Sequence, residues 1–152
     1  TLLLVAACDL GDPFGGDDDN GSGDYTTATL THEGFDFSAN VSGYSQSYDG
    51  ETISWQPGGA NNPAYPRDVN VWWRPATGGT KDMGTVTMAS VTQAPSSWDT
   101  SPNITPLLAG HVYVARCADG YVKFKVNSVN AGGSNWPATV EYYFSTTTAF
   151  DR

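Results

Sequence analysis

Between residues 25 and 147 the chain alternates short apolar or aromatic stretches with clusters of Gly, Pro, Asn, Asp and Ser, and inside each stretch apolar and polar side chains trade places almost residue by residue. A two-residue period places alternate side chains on opposite faces of an extended strand, and no window repeats apolar residues at helical spacing. The pattern predicts strands over TTATLTH (26–32), FDFSANVSGYSQS (35–47), TISWQP (52–57), DVNVWWRP (68–75), GTVTMASVT (84–92), HVYVARC (111–117), YVKFKVNSV (121–129) and TVEYYFSTT (139–147). Strands in this number (about eight), separated by turn formers, predict an all-β fold: a single antiparallel β-sandwich over 25–152, preceded by an extended N-terminal leader over 1–24.

The clearest unit is HVYVARCADGYVKFKV, two alternating runs around Ala118-Asp119-Gly120. The Asp-Gly step is expected to supply the positive φ angles of a tight hairpin. In the second run Val122, Phe124 and Val126 share one face, expected to be core, and Tyr121, Lys123 and Lys125 share the other. Trp72 and Trp73 are neighbours, so one of them must point away from the core. The stretches 56–68 and 93–110 are loop-like, and their prolines predict fixed turns.

Charge divides the chain at the same boundary. Of sixteen acidic residues, six (Asp9, Asp12, Asp17, Asp18, Asp19, Asp24) lie in the first 24 positions, where no Lys or Arg offsets them. The seven Lys and Arg are scattered from residue 67 onward without forming a stripe, which argues against a nucleic-acid partner. Low hydrophobicity and like charge keep the stretch after Cys8 from folding by itself.

Before that acidic stretch, Leu2, Leu3, Leu4 and Val5 run into Ala6, Ala7 and Cys8. The segment VAAC resembles the lipobox of bacterial lipoprotein signals, and the resemblance implies that Cys8 is lipidated, with the acidic stretch as spacer. If the leader is instead retained, Leu2, Leu3, Leu4, Val5, Ala6 and Ala7 form an apolar strand suited to completing the sheet of another subunit by donor-strand exchange. An unmodified Cys8 outside the cell would allow a Cys8–Cys117 disulfide. Asp18, Asn20, Ser22 and Asp24 follow the opening of a calcium loop, but loop position twelve holds Thr29 where a bidentate Glu is expected, so calcium is a weak expectation.

Catalytic raw material is sparse. The chain holds two histidines, His32 and His111, and no G-x-S-x-G, H-E-x-x-H, Walker or dinucleotide-binding motif, which predicts a non-enzymatic protein. Trp55, Trp72, Trp73, Trp98 and Trp136 could form a stacking platform for sugars or a flat cofactor, although core packing is the commoner use of Trp in a small sandwich. N-x-S/T sequons at Asn20, Asn40 and Asn103 mark candidate glycosylation sites.

Gly110, Tyr113, Arg116, Asp119, Gly120, Tyr121 and Lys123, with the VEYYFS that follows, resemble the C-terminal hairpin of HmuY-like proteins, surface lipoproteins of Bacteroidota-type bacteria, over some 40 of 152 residues. The resemblance implies an extracellular binding domain and, as an alternative function, haem. His32, His111, Met83 and Met88 are the side chains available as axial ligands. The main expectation is a structural or interaction subunit at the bacterial cell surface, outer membrane or extracellular, associating with itself or with other surface components and held to the membrane if Cys8 is acylated. That expectation includes no cofactor.

Overall fold

The computed structural model describes residues 24–44, 47–55, 63, 70–99 and 104–152. Among these described residues alternation becomes ten strands: β1 (Thr26–Leu30), β2 (Phe35–Asp36), β3 (Val41–Ser42), β4 (Gly50–Ile53), β5 (Val71–Pro75), β6 (Thr80–Gly84), β7 (Thr105–Leu107), β8 (Val112–Arg116), β9 (Tyr121–Val129) and β10 (Ala138–Ser145). They form two antiparallel five-stranded sheets, ordered β1-β10-β9-β8-β6 and β3-β2-β4-β5-β7. The two sheets pack face to face as a β-sandwich. Among the described residues no helix is long and apolar enough to cross a membrane.

Both sheets supply the core. Leu30, Val122, Phe124, Val126 and Val140 from the first meet Phe35, Phe37, Val71, Trp73 and Leu107 from the second, and none of these is more than 3% exposed. Phe37 stacks on Phe124 with ring centroids 5.8 Å apart, and Trp73 meets Phe124 edge-on at 5.8 Å. Each such side chain contributes about 1.5–3 kcal/mol by leaving water. Asp49 ties the layers together: it is 1% exposed and accepts the backbone N–H groups of Phe37 (2.8 Å) and Ala118 (3.1 Å). Burial pushes its carboxyl up despite those bonds. At nearby Asp36 burial also acts upward, but N–H and hydroxyl donors from Ala39, Ser38 and Ser47 outweigh it and hold the carboxyl down.

The hairpin of β8 and β9 forms with Arg116 opposite Tyr121, and Val122, Phe124 and Val126 are fully buried as the alternation predicts. Its turn differs from expectation, since neither Asp119 nor Gly120 has a positive φ. The Cys117 N–H closes it on the Gly120 carbonyl at 2.9 Å. Gly120 is needed for space: a Cβ there would lie 2.3 Å from the Ser145 carbonyl oxygen.

Three further expectations are corrected. The run 84–92 is not a strand: β6 lies earlier, over Thr80–Gly84, and Met88–Ser90 form a 3-10 turn capped by Thr87. Met88 and Val91, three residues apart, both turn down onto the sheet, a spacing that suits this tight turn and not a period of two. The run 35–47 is not one strand but the short pair β2 and β3, with Asp36 capping the turn between them. The loop-like stretch 93–110 contributes β7 at the sheet edge.

The outer face of the first sheet is covered rather than wet. Met88, Val91 and Phe150 pack on Val112 and Val114, and the two covering segments are stitched by Ala94 N–H to Thr148 O (2.7 Å) and Phe150 N–H to Thr92 O (2.8 Å). Beneath them Lys123 is fully buried on the face that alternation marks as polar. Its Nζ donates to the carbonyls of Met88 (2.7 Å), Val91 (2.9 Å) and Arg152. The rings of Tyr25, Tyr143 and Phe150 stand 5.4–5.8 Å from the same nitrogen. Burial pushes this ammonium below the usual lysine range.

Candidate functional site

On β4 and β5 the cross-strand pair Thr52 and Trp73 points into the core, so the adjoining pair Glu51 and Arg74 points away from it. Glu51 is nevertheless 3% exposed. Two loops close over it. Gly34 and Gly43 adopt φ angles of 87° and 118°, a region that favours glycine, and the Gly43 N–H bonds the Gly34 carbonyl at 3.0 Å. That bond brings His32, after β1, beside Tyr44, after β3.

Glu51 then gathers three side chains. Oε1 accepts from Arg74 through Nε (2.8 Å) and Nη2, and Oε2 accepts from the Tyr44 hydroxyl. His32 Nδ1 lies 3.1 Å from both Glu51 Oε2 and the Thr52 carbonyl oxygen. Two acceptors at one ring nitrogen place a proton on Nδ1, and in the unprotonated ring Nε2 is then the acceptor. The hydroxyl of Tyr44 also reaches the His32 carbonyl at 2.8 Å, and the bond to Glu51, with burial of the oxygen and the nearby charge, pushes its ionisation up to about 12. The carboxylate is buried while its partners are not: the Tyr44 residue is 61% exposed, and the side chains of Arg74 and His32 are 51% and 43% exposed.

The β9–β10 turn supports the same place. The Asn135 carbonyl accepts from the His32 N–H (3.0 Å) and the Thr52 hydroxyl (3.1 Å), and Trp136 meets the His32 ring edge-on at 5.2 Å. Asn135 and Trp136 hold φ angles of 61° and 47°. Left-handed backbone at a non-glycine costs about 1–2 kcal/mol. The cluster therefore offers donors, an acceptor and an aromatic face, all fixed from behind.

The side chains expected as haem ligands fall into separate settings. His32 belongs to the Glu51 cluster. His111 Nδ1 lies 3.0 and 3.1 Å from the two Asp82 oxygens, Met88 is buried in the outer cluster, and Met83 packs against that cluster. Among the described residues no group of three or more His, Cys, Asp or Glu could hold a metal. Asp24, the one described member of the calcium set, is an exposed partner of Arg152 at 3.7 Å. Leu2, Leu3, Leu4, Val5, Ala6, Ala7, Cys8, Asp18, Asn20, Ser22 and Asn103 lie outside the described residues.

Among the described residues Cys117 has no disulfide partner; it is 5% exposed, and burial together with Asp49 pushes its ionisation far up. Asn40 is exposed on the β2–β3 turn, at the rim of a cleft of about 340 Å³ that Phe37, Ser38 and Tyr142 also line. Trp73 is the core member of its pair. Trp72 faces the other way, as expected of one of the two, yet is only 4% exposed, with Trp55 against it at 6.1 Å.

Glu51, Arg74 and Tyr44 were not singled out by the sequence. The available signal was composition: Glu51 is one of only three glutamates in the chain. The class defined here is a two-sheet antiparallel β-sandwich that presents a side-chain cluster ordered by one buried carboxylate. No protein-family profile, curated protein or solved structure matches the chain.

Proposed function

We propose that the chain is a non-enzymatic bacterial surface lipoprotein in which residues 25–152 are the interaction module and the leader tethers it through an acylated Cys8. The observation that carries this reading is the order of segments along the chain: the apolar run of residues 2–5, the lipobox-like VAAC, an acidic Gly-rich stretch and then the sandwich. An apolar run that ends in small residues and a cysteine suits an export and anchoring signal, and an acidic spacer suits a tether. A donor strand would instead need a recipient with an unfilled groove, and among the described residues both inner faces carry a packed core. The haem alternative draws less support, because its four candidate ligands divide among the Glu51 cluster (His32), the pair with Asp82 (His111) and the outer apolar cluster (Met83 and Met88).

The test is the intact mass of the protein recovered from the surface of an expressing bacterium, paired with negative-stain images. Monomers whose mass begins at an acylated Cys8 are expected. Filaments whose subunits still carry TLLLVAA would replace this reading with donor-strand assembly.

A further inference from the structure

We propose that the Glu51 cluster binds a neutral pyranose, stacked on Tyr44 and hydrogen-bonded through Arg74 and His32. The inference rests on the preceding one only in treating residues 25–152 as a binding module. Neither lipidation nor location enters it.

An exposed aromatic is normally free to fold onto its own surface. Tyr44 is 61% exposed but anchored at its hydroxyl by Glu51 and the His32 carbonyl, with Tyr48 edge-on at 5.1 Å. A ring fixed at its tip costs little further ordering when a ligand stacks on it. The groups beside it are held in the same way. Arg74 spends Nε and Nη2 on Glu51, leaving Nη1 as a donor, and His32 spends Nδ1, leaving Nε2 as an acceptor.

Charge selects among ligands. The Glu51 carboxylate and the Arg74 guanidinium cancel, so the ion pair at the centre of the cluster favours neither an anion nor a cation. A pyranose matches what remains: its C–H face is apolar enough to stack on an aromatic ring, and its hydroxyls both accept from Arg74 and donate to His32. The left-handed backbone at Asn135 and Trp136 lies against the same site, and strain held at a surface cluster is a recurrent mark of ligand contact.

The probe is a panel of soluble neutral polysaccharides (β-1,3-glucan, xyloglucan, galactomannan and starch) cast into native gels through which the full chain migrates. Retardation in at least one gel is expected. Tyr44→Ala should abolish it and weaken calorimetric affinity for the matching oligosaccharide by about tenfold or more, while Tyr44→Phe, which keeps the ring, should retain most of it. Because Tyr44 also covers Glu51, amide shift mapping of the unmodified chain provides a readout independent of any variant. Shifts should centre on residues 32, 44 and 74. No retardation in any gel, unchanged retardation of Tyr44→Ala, or shifts centred elsewhere would overturn the proposal. An acylated mass with no retardation would defeat this inference alone, and retardation by filaments would defeat only the tether.

Discussion

Replacing Lys123 with Met tests whether the ammonium beneath the outer layer is a fastening or an accident of packing. Met has nearly the same length and no charge, so the substitution removes the cation while leaving the space filled. The gain is relief of a desolvation cost of several kcal/mol. The loss is larger, because the carbonyls of Met88 and Val91, both on residues no more than 5% exposed, keep their need for a donor and have none. An unsatisfied buried carbonyl costs about 1–3 kcal/mol, more where its partner was charged. The cation–π contacts with Tyr25, Tyr143 and Phe150 disappear as well. This differs from replacing a whole buried ion pair by apolar side chains, which can stabilise, since backbone acceptors cannot be mutated away. Lys123→Met should therefore destabilise by about 2–4 kcal/mol and lower Tm by about 5–15 °C. Urea unfolding followed by tryptophan fluorescence gives the first figure, and Trp98, stacked on Tyr121 at 6.2 Å, reports on the covering segment itself. Hydrogen exchange should quicken at Ala94 and Phe150, whose N–H groups stitch the layer. A variant as stable as the parent, or more so, would refute the reasoning.

Three further predictions concern the rest of the sandwich. The raised carboxyl of Asp49 binds its proton more readily folded than unfolded, so its contribution to stability grows as pH falls through the folded pKa towards the unfolded value. Asp36 is lowered and acts oppositely, its contribution being full above the unfolded pKa and lost as pH falls through the folded one. Asp49→Asn should thus remove the rise on the acid side above about pH 4, leave the later fall, and cost about 1–2 kcal/mol at neutral pH through one lost acceptor, as read from urea midpoints across pH. Gly120→Ala should lose about 2–3 kcal/mol in thermal melts, because the new Cβ meets a backbone oxygen that cannot rotate aside. In a Cys8→Ala background Cys117 should resist iodoacetamide at pH 8 and react on addition of urea, followed by mass; rapid labelling of the folded chain would contradict its placement.

The legible parts of this fold were those where one face is core and the other is not. Val122, Phe124 and Val126 are such a case, and their strand was read to its last residue. Lys123 was not legible, because alternation reports which face a side chain occupies and says nothing of a further layer laid over that face. Trp72 was hidden by the same effect. The run 84–92 misled because Thr and Val favour strands locally, while the need to cover Val112 and Val114 set its conformation. Of the Glu51 cluster only His32 was legible as a candidate, since its members come from the ends of β1 and β3, from β4 and from β5, and the bond that joins the loops is between two glycine backbones.

The course of β1 decides how this domain would carry a load. The strand starts at Thr26 opposite Tyr142 and ends at Leu30 opposite Ala138, and His32 follows at its far end. A pull entering from the residues before Asp24 and leaving through a ligand at the Glu51 cluster runs lengthwise along β1. Its bonds to β10 are then strained in shear, sharing the force together. A pull between Asp24 and Arg152, which lie together at the Thr26 end, would instead open the β1–β10 ladder from Thr26 one bond at a time, so the same domain should be mechanically firm when loaded along β1 and yielding when loaded across it.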